Sequence, residues 1–286
     1  MKRKILATLL CGAMVLGTLV GCSSETEEVT TTEETTEAAA TEAATTEDSD
    51  DVTGSLEGVT LSVGTSGLFG PFSYYDEDGS TLIGYDIDLI YALQDILGFE
   101  IEGDAIQAMD YSALTTSLST DMLDIGAAAL CATDERKEVM TFTETYCDSG
   151  QILMINSESD NGITSLDDIT SDTVVAVESG TASHTYASLY LTDCTIEVHD
   201  TITTAYESLE QGMVDCLIQD APGAAFYIAE TEGTVLAMTG DEFNQGQAPY
   251  AVAISFGCDY AEEIDAALAM LAADGTLDEL YATWCE

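Results

Sequence analysis

Ser117-Leu-Ser-Thr-Asp-Met-Leu-Asp124 returns in form 91 residues later as Ser208-Leu-Glu-Gln-Gly-Met-Val-Asp215. Each copy follows a helical stretch and precedes a short apolar strand, Ile125 to Leu130 in the first case and Cys216 to Ile218 in the second. Each strand then opens into a polar loop, one containing Arg136 and the other Asp220. Two similar α/β units, each delivering one charged side chain from a strand end, predict a two-lobed architecture with a cleft between the lobes. In open α/β sheets, ligands bind at such strand C-terminal ends.

Charge makes the first of those side chains conspicuous. Of 286 residues, 54 are Asp or Glu and only five are Lys or Arg, for a formal charge of −49. Lys2, Arg3 and Lys4 lie at the N-terminus, so the rest of the chain has Arg136 and Lys137 alone. A guanidinium suits a carboxylate because its planar fork binds two oxygens and stays charged. Thr133, Asp134 and Glu135 read as a helix N-cap and acidic first turn, adding free N–H groups to any anion site. Charge statistics alone do not separate this reading from a structural salt bridge. The negative charge excludes nucleic acid and anionic membrane surfaces as partners. It also favours a neutral ligand over an acidic one and leaves a basic one open.

The N-terminus reads as an export signal. Met1-Lys-Arg-Lys4 is a basic region, Ile5 to Val20 is apolar, and Leu19-Val20-Gly21-Cys22 places small residues before a cysteine. This resembles the bacterial lipobox, which implies removal of residues 1–21 and lipidation of Cys22. Two acyl chains suffice for a lasting anchor. Residues 22–53 are rich in Thr, Glu and Ala and predict a disordered acidic tether. Six cysteines follow Cys22, and they allow ~15 disulfide connectivities among which the sequence does not choose. No Cys or His spacing predicts a metal site, and no cofactor is expected.

Beyond the tether, strand and helix patterns alternate. Val59 to Val63 reads as a strand leading into the Gly-rich Gly64 to Phe72, and Tyr74 to Gly84 as a hairpin turning at Asp76-Glu-Asp-Gly79. Ile87, Ile90, Leu93 and Leu97 mark one helix face, capped near Asp86. Ser165 to Asp168 and Thr276 to Glu279 both fit the capping box. Val174 to Val177 leads into Glu178-Ser-Gly-Thr-Ala182, a hydroxyl residue before a helix.

With these elements placed, the chain resembles the extracellular solute-binding proteins of polar amino-acid ABC importers. The marks are Gly70-Pro-Phe72, Gly84-Tyr-Asp-Ile-Asp-Leu89, Thr133-Asp-Glu-Arg136, Tyr146 to Gln151, Val177 to Thr181, Val214 to Pro222 and Ala272 to Trp284. The resemblance implies a type II periplasmic-binding-protein-like α/β fold, its two similar lobes joined by a two-strand hinge. Residues 54–148 with 246–286 would form lobe one and 149–245 lobe two. It further implies that Arg136 pairs with the α-carboxylate of an amino acid, aided by backbone N–H groups near Gly180 and Thr181. Asp220 would take the α-ammonium and Phe69 would lie against the ligand, with Tyr111, Ser66 and Cys131 as further lining. Cys131 departs from the family, which commonly has Ser or Thr there, and Ser66 stands where some relatives have Asp. The resulting expectation is a monomeric, lipid-anchored receptor on the extracytoplasmic face, delivering its ligand to ABC permease subunits without chemistry. The rival expectation is a dehydratase-like enzyme on the same fold, with Glu178 or Asp220 as general acid.

Overall fold

The computed structural model describes residues 51–247 and 249–286. The expected leader, the lipidation site Cys22 and nearly all of the acidic tether lie outside the described residues. No helix among the described residues is long and apolar enough to cross a membrane.

Two five-stranded sheets organise the body, and they share one plan. In the first, the order is Gln107–Ala108, Val63–Thr65, Ile125–Gly126, Tyr250–Ile254 and Thr141–Cys147. Its first three strands are parallel and its last two pairings antiparallel. In the second, the order is Thr195–His199, Val174–Glu178, Cys216–Asp220, Gln151–Asn156 and Leu236–Phe243. Again three parallel strands are followed by two antiparallel pairings. The two repeat copies deliver the chain into the middle strand of each sheet. The chain passes from the first sheet to the second between Cys147 and Gln151, and back between Phe243 and Tyr250. These crossings are tied together, since Ser149 Oγ donates to Tyr250 Oη at 2.9 Å and Gly246 N–H donates to the Ser149 carbonyl at 3.2 Å.

Helices cover both faces of each sheet, because successive strand residues point to opposite sides. Along Cys216–Asp220, Leu217 joins a core with Ile202, Tyr206 and Ala224, while Cys216 and Ile218 join another with Val175, Val177 and Ala187. In the first sheet Val252 and Ile254 face the helices Tyr85–Leu97 and Ala261–Asp274. Ala253 faces Leu114 and Leu118 of the helix Tyr111–Ser119. Each fully buried Leu or Ile contributes about 1.5–3 kcal/mol relative to exposure, so the predicted stripe Ile87, Ile90, Leu93 and Leu97 anchors its helix firmly. That helix stops at Gly98, whose φ of 80° ends it in a left-handed turn.

Local readings need two corrections. Asp86 caps nothing: the N-cap is Gly84, and Asp86 is fully buried within the first turn. Likewise Thr276 is the first residue of the helix Thr276–Trp284 rather than its cap, because Gly275 takes that place with φ 90° and no side chain. The capping box at Ser165 and Asp168 does form, around a single 3-10 turn. Ser73–Tyr75 pairs with Leu82–Ile83 as the expected hairpin.

Candidate functional site

Arg136 stands in the short helix Asp134–Lys137, whose N-cap Thr133 accepts from the Arg136 N–H at 3.3 Å. The turn is reached through an irregular run, Ala127 to Ala132, in which Ala129 adopts a φ of 49°. That run is held by Asp86: its carboxylate accepts from Ala129 N–H and from Tyr146 Oη, each at 2.6 Å. Burial pushes the Asp86 carboxyl up to about 6, against the pull of these two hydrogen bonds. Arg136 Nη1 donates to the Cys131 carbonyl at 2.9 Å and Nη2 to the Gly180 carbonyl at 2.8 Å. Its guanidinium lies 5.4 Å from the centre of the Tyr111 ring, a cation–π distance.

Asp220 ends the strand Cys216–Asp220 and precedes the helix Ala221–Glu230. Tyr250 Oη donates to its Oδ2 at 3.0 Å, and the Cys131 thiol approaches the same oxygen at 3.5 Å. Burial raises the Asp220 carboxyl, while those two donors and Arg136 draw it back down. The thiol of Cys131 is driven well up by burial and by Asp220, so it is held protonated. Cys131 therefore stands between the two charges, its carbonyl on the guanidinium and its sulfur on the carboxylate. Arg136 and Asp220 do not pair directly: among the described residues no Lys or Arg nitrogen comes within 4.0 Å of a carboxylate.

Ser66, Phe69, Tyr111, Cys131, Thr181 and Asp220 line one cavity. Its free space, about 30 Å³, is room for roughly two waters. Arg136 and Gly180 border an adjoining groove with Thr115 and Thr133 instead. Gly180 presents its carbonyl to Arg136, and its N–H donates to His184 Nδ1 at 3.3 Å. Thr181 caps the helix Ala182–Tyr190, its hydroxyl accepting from His184 N–H at 3.1 Å. Ser66 Oγ is engaged by Ser73 Oγ at 3.2 Å. Phe69 is stacked on the buried Phe72, and its ring fills the space a Cβ at Gly223 would need. Phe226 does the same at Gly70, so two glycines seat aromatic rings from the opposite lobe.

Residues 61–286 match the family model for bacterial extracellular solute-binding proteins, family 3. The chain belongs to that family. It is 27% identical over 226 residues to the L-cystine-binding protein TcyJ of Escherichia coli (strain K12), covering 79% of this chain and 82% of that one. Its fold superimposes on an ancestral arginine-binding protein bound to arginine with a TM-score of 0.72 at 30% identity, covering 79% and 98% of the two chains. The ancestral amino acid-binding protein AncCDT-1, a precursor of cyclohexadienyl dehydratase, gives 0.70 at 28% identity, covering 79% and 96%. The fold is thus the two-lobed type II arrangement.

Two residues of this family 3 body take places that sequence reasoning did not assign, and a third was raised for another role. Tyr250 links the crossing segment at Ser149 to Asp220; a lone Tyr ahead of the apolar run Ala251–Ile254 gave no signal of it. Gln219 lines the cavity, 4% exposed, its Oε1 accepting from Tyr206 Oη at 2.8 Å while its Nε2 has no protein partner. Glu178, raised only as a general acid for the rival reading, lines the same cavity at 9% exposure.

Proposed function

We propose that this family 3 protein captures an amino acid, or a close derivative, in the cavity between its lobes and hands it to the permease of an ABC transporter. The supporting observation is the placing of Arg136 and Asp220 on opposite lobes, each engaged with groups that a ligand can replace. A zwitterion leaving water needs both of its charges compensated. Its carboxylate replaces the Gly180 carbonyl on Arg136, and its ammonium replaces the Cys131 thiol on Asp220. With space for only about two waters in that cavity, entry requires the lobes to part and closure then follows from ligand bridging both. The relatives named for cystine and arginine are in keeping with an amino-acid ligand.

Anchoring through Cys22 on the extracytoplasmic face completes the reading, with residues 54–148 and 246–286 as one lobe and 149–245 as the other. Binding without turnover is the reading to prefer over dehydration, since the relative related to a dehydratase is itself named an amino acid-binding precursor. The test is a thermal-shift screen of the protein against all amino acids and cystine, because specific binding raises apparent stability by mass action. A shift for at least one amino acid, lost in Arg136→Ala, is the expected result. A shift of equal size in the variant removes that residue from the site, and release of a chemically altered ligand overturns the non-enzymatic reading.

A further inference from the structure

The cavity is lined by two carboxylates, Asp220 and Glu178, and the nearby guanidinium, Arg136, borders the adjoining groove and donates to the carbonyl of the lining residue Cys131. Glu178 ends the strand Val174–Glu178 and its carboxyl faces the Ile202 N–H, at the first turn of the helix Ile202–Glu210. No Lys or Arg among the described residues lies within ion-pair distance of it. Extending the register Ala176 to Leu217 by two residues sets Gln219 beside it on the same face. That amide can share a hydrogen bond but cannot cancel a charge.

On the reading above, the ligand's carboxylate is matched by Arg136 and its ammonium by Asp220, so those charges close among themselves. Glu178 is left over. A buried carboxylate without a counter-charge is strongly disfavoured and takes up a proton instead. The lining carries apolar surface from Leu68, Phe69, Ala182 and Ile202, interrupted by the hydroxyls of Ser66, Thr181 and Ser183. A chain of methylenes ending in a positive group fits both features, as Lys and Arg side chains lay their stems on apolar surface. We propose that Glu178 reads the far end of the ligand's side chain and selects amino acids that end in a cation, a guanidinium or an ammonium. This rests on Arg136 and Asp220 holding the α-groups.

A pH dependence follows. Burial, then the fields of Asp220 and Asp110, push the Glu178 carboxyl up to about 7. Its other titratable neighbours are Tyr206 on the covering helix and His199, its partner in the adjacent strand. Tyr111 and Cys131 also line the cavity, and Arg136 stands behind them, on the Cys131 carbonyl and near the Tyr111 ring. Below that value Glu178 carries a proton that a cation must displace, so cationic ligands bind more tightly at pH 8 than at pH 6. For one such group the change is roughly tenfold.

The deciding experiment titrates the full chain calorimetrically with arginine, lysine, glutamine and citrulline at pH 6 and pH 8. Citrulline replaces the guanidinium by a neutral group of the same shape. Arginine or lysine is expected to bind at least about tenfold more tightly than citrulline and glutamine at pH 8, with the preference shrinking at pH 6. In Glu178→Gln the cation-to-neutral ratio falls towards one and loses its pH dependence. Citrulline or glutamine binding as tightly as arginine and lysine in the unaltered protein overturns the proposal, whatever the variant does. So does a preference, or its pH dependence, that survives Glu178→Gln. In both cases the α-group reading stands provided Arg136→Ala still abolishes binding. If no amino acid binds, or Arg136→Ala binds normally, the α-group reading fails and this inference fails with it.

Discussion

The two lobes are built on one strand plan yet present their charged side chains in opposite ways. In the second lobe the repeat leads into a full five-residue strand, and Asp220 is simply its last residue. Its backbone is pinned by the pairing of Gln151 with Asp220. In the first lobe the corresponding strand lasts two residues, Ile125–Gly126, and Arg136 arrives ten residues later on a single helical turn. In place of a continuous ladder, the run has isolated backbone bonds at Ala127, Leu130 and Ala132 and one buried acid, Asp86, gripping Ala129 between them. The acid is thus fixed by a continuous ladder, and the cation by an interrupted one with a side chain bridging the gap. A rigid half and a supported half meet at Cys131 and Tyr250.

The largest effects should fall on the two charges themselves and differ by ligand. Arg136→Ala is expected to lower affinity for any amino acid at least about 100-fold, because a buried carboxylate loses a bidentate partner. Asp220→Asn should cost nearly as much for amine-bearing ligands and little for plain carboxylates. Calorimetry with an amino acid and its deaminated analogue checks this. Equal losses for both ligands in Asp220→Asn would mean that the lobes do not divide the ligand between them.

The supported half offers the next test. Asp86→Ala leaves the Ala129 N–H and the Tyr146 hydroxyl without their buried acceptor, at a cost of about 2–4 kcal/mol near pH 4. Thermal unfolding measures it. The sign with pH is set by the carboxyl lying at about 6 in the folded chain, above its unfolded value of ~3.9. Its contribution is therefore complete below about pH 4 and is lost as pH rises through 6. Unaltered protein and variant should converge over that interval. Constant separation from pH 4 to 7 would show that Asp86 does not hold the run as described.

Closure itself is tested at Gly223, where Phe69 from the opposite lobe occupies the position of a side chain. Gly223→Ala should weaken ligand binding about tenfold while leaving the unliganded Tm unchanged or slightly raised, since Ala suits a helix better than Gly. Small-angle scattering should show ligand-induced compaction reduced. Full compaction with unchanged affinity would mean that the ring has somewhere else to go.

Much of this is legible in the chain alone. The repeat at Ser117 and Ser208 announced two related units, and the scarcity of cations singled out Arg136, which the structure sets beside the cavity residue Cys131. The buried stripe of the first helix followed from spacing alone. What could not be read were pairings between residues far apart in sequence. Asp86 looked like a cap because acids at helix starts usually are caps, and nothing local says that Tyr146, sixty residues on, donates to it. Tyr250 and Gln219 were hidden for the same reason. Glu178 was visible as an acid near a helix start, but its want of a counter-charge is a property of the assembled cavity.

Cys131 is where the comparison becomes finest, and the smallest effect is expected there. Its carbonyl serves Arg136 whatever its side chain is, so only the contact with Asp220 is at stake. A thiol is a weak donor, and at 3.5 Å its sulfur does little to satisfy a carboxylate. Cys131→Ser puts a stronger donor between the two charges, able to turn to Asp220 or to a carboxylate resting on Arg136. Affinity for amino acids should rise about two- to fivefold, whereas Cys131→Ala should lower it by a similar factor and spare plain carboxylates. Burial beside Asp220 keeps the thiol protonated, so alkylation at pH 8 should be slow and slower still with ligand bound. A tenfold loss in Cys131→Ser would show that the site is shaped around sulfur itself, and that the supported half is matched to its ligand by volume and not by hydrogen bonding.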